Sequence, residues 1–249
     1  MNEKLLEYFN EIEMNHWWWE GRRQILRQTI KKEKNLKILD IGCGTGETLS
    51  FLKTYLPKPS LYGIDSSPTA IKYAMKRGHK NIISVDAKKL PFENNKFDYI
   101  LLLDVLEHIK DDTSILIEAR RVLKKNGKII ITTPALQFIW SEHDTAQGHF
   151  RRYVRRRIRK ITSNSKLSVK EISYFNFFLS PAIIGVRLLS KLKPFKKYGE
   201  YNSKLNFSVA KKPFLNELLK SIFVFEVKLI KYINYPFGIS IFTLLEKEN

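Results

Sequence analysis

The stretch Lys37-Ile-Leu-Asp-Ile-Gly-Cys-Gly-Thr-Gly-Glu47 limits the fold more than any other part of the chain. Ile38, Leu39 and Ile41 form a short apolar run of the kind buried in a parallel sheet, interrupted by Asp40. Gly42, Gly44 and Gly46 follow, and Thr48 to Tyr55 is predicted to be a helix. Strand, glycine turn and helix together make the opening unit of a doubly wound sheet. Residues without Cβ let a ligand approach the backbone, and a helix N-terminus offers unpaired N–H groups. Spacing narrows the choice. A dinucleotide turn would carry its third glycine where Glu47 stands, and a P-loop would need Gly-Lys-Ser/Thr, which is absent.

The string Leu39-Asp-Ile-Gly-Cys-Gly-Thr-Gly46 resembles the first motif of class I S-adenosylmethionine-dependent methyltransferases, in particular those of types 11 and 23. The resemblance implies that Asp40, Gly42, Cys43, Gly44 and Gly46 border the amino-acid part of that cofactor. Downstream, Pro59 to Asp65 reads as a second strand ending in an acid 19 residues beyond Gly46, with Ser67-Pro68 opening a helix. A carboxylate at that tip can accept both hydroxyl hydrogens of a ribose, so Asp65, with Ser66 beside it, is a cofactor candidate. The family pattern places Asp86 and Ala87 beside adenine. It also places Asp104 and Val105, at the end of the apolar fourth strand, on the ligand edge of the sheet. Asp104-Val-Leu-Glu-His108 resembles the family's fourth motif; for Glu107 and His108 two readings stand side by side, fixing the loop by hydrogen bonds or doing chemistry.

Residues 1–35 are expected to be an N-terminal helical lid. Three consecutive tryptophans, Trp17 to Trp19, cannot share one helix face, so at least one meets a cleft or a partner. Similar His-Trp-…-Arg-Arg segments occur in a glycan-cluster-associated set of methyltransferases, and there the resemblance assigns Arg22 or Arg23 to the cofactor carboxylate. After the fifth strand, Lys128–Pro134, comes Asp144-Thr-Ala-Gln-Gly-His-Phe-Arg-Arg-Tyr153, which also resembles that set. It lies over the face where a methyl group would move. His149, and after it His143, are candidates for a base or for positioning the acceptor. No metal is expected, because no second cluster at ligand spacing accompanies these residues.

Charge is unevenly placed. Of a net +19, residues 150–249 contribute +15, with 21 Lys/Arg against 6 Asp/Glu. Such a field attracts anionic partners. The lone cysteine excludes an internal disulfide, the N-terminus has no apolar signal core, and no apolar run is long enough to span a bilayer. A cytoplasmic location is expected, with peripheral attachment to the inner face of the membrane as its variant.

The expected architecture is α/β: a Rossmann-like, seven-stranded, doubly wound sheet whose last strand is antiparallel. Its parts are a lid (1–35), a cofactor-binding core (36–174), a helical cap insertion (175–236) and the final strand (237–249). Within the insertion, 196–212 reads as a polar connection. The expected function is methyl transfer from S-adenosylmethionine to a small-molecule or lipid-linked glycan acceptor. An anionic membrane surface is a candidate partner. The alternatives are an RNA methyltransferase using the basic half and a cofactor-binding partner without activity. Oligomeric state stays open.

Overall fold

Apolar runs that need cover on both faces end up side by side in one sheet. The computed structural model of the chain describes residues 3–86, 89–189, 191, 209 and 212–248. Seven strands form it: β1 (Lys37–Ile41), β2 (Ser60–Asp65), β3 (Ile82–Ser84), β4 (Phe97–Leu103), β5 (Leu123–Pro134), β6 (Ser168–Phe175) and β7 (Ser240–Glu246). Their spatial order is β3-β2-β1-β4-β5-β7-β6, and β7 runs antiparallel to both neighbours. This is the expected Rossmann-like sheet. The order reverses between β1 and β4, so the crevice above their carboxyl ends is where an open α/β sheet binds ligands. Ile38, Leu39, Ile100, Leu101, Leu102 and Ile129 to Ile131 are fully buried at the centre.

Nine helices are seen among the described residues: α1 (Glu3–Ile12), α2 (Trp17–Thr29), α3 (Glu47–Tyr55), α4 (Pro68–Lys76), α5 (Asp112–Val122), α6 (Glu142–Ala146), α7 (Arg155–Asn164), α8 (Ser180–Leu189) and α9 (Pro213–Leu229). Residues 1–35 thus carry two helices. His16 starts the second, its Nδ1 accepting from the N–H of Trp18 at 3.1 Å. The fifth strand begins at Leu123 rather than at the expected Lys128, so α5 stops at Val122. Leu123 already pairs with Phe97 of β4, and Asn126 takes a left-handed turn at φ +60° in the irregular stretch before Lys128. Pairing with a neighbouring strand overrides a local helix stop.

The expected cap insertion does not stand apart. Phe223, Val227 and Ile230 of its second helical region belong to the main core, and α9 lies along α2. The two meet at Gly21 and Phe223, whose ring also stacks on Trp18 and Phe175. The expected connection 196–212 falls outside the described residues except for Val209 and Lys212. No described helix is long and apolar enough to cross a membrane.

Candidate active site

The glycine turn is pinned to β2, because Gly42 and Cys43 both donate to the carbonyl of Ile64, at 2.8 and 3.0 Å. Gly42 has φ +73°, and a Cβ there would stand 2.5 Å from Val105. Gly44 has φ +52° and nothing within 4 Å of where its Cβ would be. One glycine is required by its neighbour; the other leaves the backbone bare to the cavity. Asp65 ties the turn to the next helix. Its Oδ2 accepts from Gly44 N–H at 2.9 Å and its Oδ1 from Ser67 N–H at 2.8 Å, while Ser67 Oγ caps α4 at Ala70. Cys43 is buried, which pushes its thiol up, and Asp40 and Asp65 push it further the same way. It is a packing residue on the wall.

A cavity of about 1050 Å³ opens above this turn. Gly42, Cys43, Gly44, Asp65, Ser66, Asp86, Asp104 and Val105 all reach its wall, as do the three consecutive tryptophans. Two candidates do not. Asp40 is buried behind the wall, and desolvation, only partly countered by the Arg22 charge, pushes its carboxyl up to about 7. Gly46, at φ +84°, starts α3 against Ala74 and His79. Both support the turn from behind. Ala87 lies outside the described residues.

The choice between the two arginines follows from the turn of α2. Arg22 faces the cavity, 3.3 Å from Asp104 Oδ2 and 3.3 Å from Thr48 Oγ1, and its Nε meets no partner. Arg23 faces inward, bonded to Glu47, to Glu20 at 2.7 Å and to the carbonyls of Glu13 and Met14. It anchors the lid.

At the other end stands Asp144, fully buried on α6. It accepts from His149 Nδ1 at 3.1 Å, Arg152 at 2.7 Å, Arg187 at 3.2 Å and Ser141 N–H at 3.0 Å. Burial alone would raise its carboxyl; the His149 hydrogen bond and the two guanidinium charges more than reverse this and hold it well below the usual range. A carboxylate only accepts, so the contact fixes a proton on His149 Nδ1 and leaves Nε2 as the ring's other nitrogen. His143 also lines the cavity, but its Nε2 is 2.6 Å from the Gln147 amide, and burial together with Arg187 pushes it down to about 3. Its ring is neutral and its lone pair engaged. The neighbouring Arg151 is a clamp, held at 2.8 Å by the carbonyl of Ile109 and at 3.2 Å by Asp112, which also receives Arg157 and the Tyr153 hydroxyl.

The sequence shows no cluster at ligand spacing, but the fold brings three possible ligands together. Glu107, His108 and His149 each offer one ligand atom, all within 4.8 Å of one another. Glu107 is buried with Oε2 unpartnered, and the His108 and His149 rings meet edge to face at 4.7 Å. Chain separation hid the group. Arg187 and Asn176 are further wall residues that sequence reasoning missed, since nothing in their local pattern sets them apart.

The wall fits a zwitterionic nucleoside. Gly44 leaves room for a close approach, Asp65 stands at the second strand tip, and Arg22 and Asp104 place opposite charges side by side. Residues 39–131 match the model of a methyltransferase domain family. A ubiquinone biosynthesis O-methyltransferase of Pelagibacter ubique is 38% identical over 112 residues, covering 43% of this chain and 46% of that protein. An uncharacterized Methanocaldococcus jannaschii protein is 30% identical over 180 residues, covering 69% of this chain and 68% of its own length. Among solved structures, Haemonchus contortus phosphoethanolamine N-methyltransferase 2, in complex with S-adenosyl-L-methionine, superposes with a TM-score of 0.65 at 19% identity, covering 100% of this chain and 58% of that one. The chain spans about half the length of curated relatives such as the Pelagibacter enzyme. Sheet order, glycine turn and sequence similarity place the chain among the class I S-adenosylmethionine-dependent methyltransferases.

Proposed function

We propose that this protein methylates a hydroxyl oxygen of a small-molecule or lipid-linked glycan acceptor, with His149 as the base. The observation that carries the reading is the Asp144–His149 pair on the cavity wall. Asp144 holds the imidazole in the tautomer with Nε2 bare, and its charge stabilises the imidazolium that forms when the acceptor proton arrives. Arg152 and Arg187 fix Asp144 in turn. Arg22 and Asp104 are suited to the carboxylate and ammonium of the cofactor, Asp65 to its ribose and Asp86 to its adenine. When bound, S-adenosylmethionine supplies an electrophilic methyl group. The chain's own work is to align the acceptor oxygen and to take its proton on His149 Nε2 as that oxygen gains carbon. The naming of relatives as O-methyltransferases supports an oxygen acceptor.

A lipid-linked acceptor draws support from α9. Phe214, Leu218 and Phe225 form one exposed stripe on it, and Lys220 and Lys228 lie on the same helix. An apolar stripe with basic neighbours suits an anionic bilayer surface.

The test is methyl-labelled S-adenosylmethionine added with the purified protein to an extract of cells lacking it, then partition of the label. Label in the organic or aqueous small-molecule fraction is expected. His149→Ala should cut it by about 10²–10⁴-fold, the usual share of a general base, with S-adenosylhomocysteine affinity unchanged. Label in RNA would favour the nucleic-acid alternative, and no label anywhere with cofactor binding intact would favour a partner without activity.

A further inference from the structure

Asn176 is used by nothing described so far. It follows the last residue of β6 at the carboxyl rim of the sheet, two strands beyond the tip of β5 and on the far side from the glycine turn. It is fully buried, lines the cavity, and neither its Oδ1 nor its Nδ2 meets a hydrogen-bond partner. A buried amide without partners is costly, since each unmet group has given up its water for nothing. Such a group persists where something that enters the site completes it.

Its placement is built rather than accidental. The N–H groups of Phe177 and Phe178 converge on the carboxylate of Glu226, at 2.8 and 2.9 Å for Phe177 and 3.0 Å for Phe178, and the N–H of Asn176 joins them. Glu226 is itself fully buried on α9. Consecutive N–H groups around an anion form a nest, and here the protein fills its own. The loop is therefore fixed, with Asn176 at φ +59°, a left-handed conformation that asparagine tolerates. Close by, Trp18 stacks on Phe175, and Trp17 Nε1 is a second buried donor on the wall without a partner.

The chemistry of a primary amide selects among ligands. It needs a donor for Oδ1 and an acceptor for Nδ2. A phosphate or a quinone carbonyl meets only Nδ2, and an ammonium meets only Oδ1. Two adjacent hydroxyls meet both, because each can donate and accept. We propose that Asn176 recognises an adjacent pair of hydroxyls on the methyl acceptor, held for that task by Glu226. This rests on the hydroxyl-methylation reading above and adds its substrate class. A sugar diol and a catechol share that chemistry.

The test uses protein saturated with S-adenosylhomocysteine and two kinds of probe, a set of methyl pyranosides with cis or trans diols and catechol, read by saturation-transfer NMR and titration. Wild type is expected to contact one kind, which identifies the source of the hydroxyl pair. Asn176→Leu, nearly the same shape, should weaken that contact about tenfold or more, the worth of one to two hydrogen bonds. Asn176→Ala removes the amide without adding bulk and should do the same. Cofactor affinity should hold in both, while the thermal midpoint falls slightly in both, since neither leucine nor alanine favours the left-handed backbone at φ +59°. Contact unchanged in both variants overturns the proposal, as does wild type that binds S-adenosylhomocysteine but neither probe. Failure to bind S-adenosylhomocysteine at all would instead overturn the reading of function on which the proposal depends.

Discussion

Gly21→Ala should be damaging although alanine is the better helix former. Gly21 lies buried within α2, and a Cβ there would stand 2.1 Å from both Cδ1 and Cε1 of Phe223 and 2.8 Å from Cζ. Carbon atoms pack at about 3.5–4.0 Å, so the deficit is about 1.4 Å or more. The ring has nowhere to turn. It lies parallel to Phe175, 3° apart with centroids 5.8 Å distant, and is flanked by Trp18 and Trp17, each with its ring centroid 5.5 Å away. The two helices must part instead. Alanine would contribute about 1 kcal/mol of helix propensity, while overpacking costs about 1–3 kcal/mol, and this clash belongs at or above the top of that range. A net loss of about 2 kcal/mol follows. The same shift carries Arg22, the next residue, whose 3.3 Å contacts to Asp104 and Thr48 have little room to lengthen. S-adenosylhomocysteine affinity should fall about tenfold, the worth of one hydrogen bond to a charged group. Urea unfolding and calorimetry measure both effects. In the double variant with Phe223→Leu, the two losses should be clearly less than additive, since the smaller side chain makes room. A variant as stable as wild type, or additive losses, would refute the argument that this joint holds the lid on the cavity.

Three further outcomes are expected. Asp65→Ala removes the acceptor of the Gly44 and Ser67 N–H groups, loosening the turn as well as the ribose site, and should weaken cofactor binding at least tenfold; unchanged affinity by calorimetry would remove that strand tip from the site. Asp40 has its carboxyl raised to about 7 in the folded chain against an ordinary value of 3.8, so the folded state binds more protons between those values and loses stability as pH rises through them. Asp40→Asn should therefore gain on wild type in urea midpoint from pH 4 to pH 8, and a pH-independent difference between the two would contradict this. Finally, an ion bound by Glu107, His108 and His149 would occupy the Nε2 that the base needs. Methyl transfer should survive chelators and fall when Zn²⁺ is added; activation by a divalent ion would make the three residues a metal centre and end the base reading.

What the sequence made legible is what its neighbours in the chain decide. The glycine turn, Asp65 at the strand tip and Ser67 as a cap all follow from residues within a few positions of each other, and each stands where spacing put it. Decisions made across the fold were not legible. Leu123 joins β5 because Phe97 pairs with it, and Arg22 faces the cavity while Arg23 faces inward because Glu47 and Glu20 claim the second guanidinium.

Charge is where the difference matters most for function. The basic C-terminal part reads in the sequence as a field for an anionic partner. Several of its arginines are spoken for internally: Arg157 holds Asp112, Arg155 reaches Asn234 and the carbonyl of Tyr235, and Arg152 and Arg187 converge on Asp144. A guanidinium already paired with a buried carboxylate offers less to phosphate, so part of the excess that favoured RNA is spent on holding Asp112 and Asp144. The exposed Lys228 of α9 remains beside its apolar stripe. Its placement favours a surface that takes both charge and hydrocarbon over one that takes charge alone.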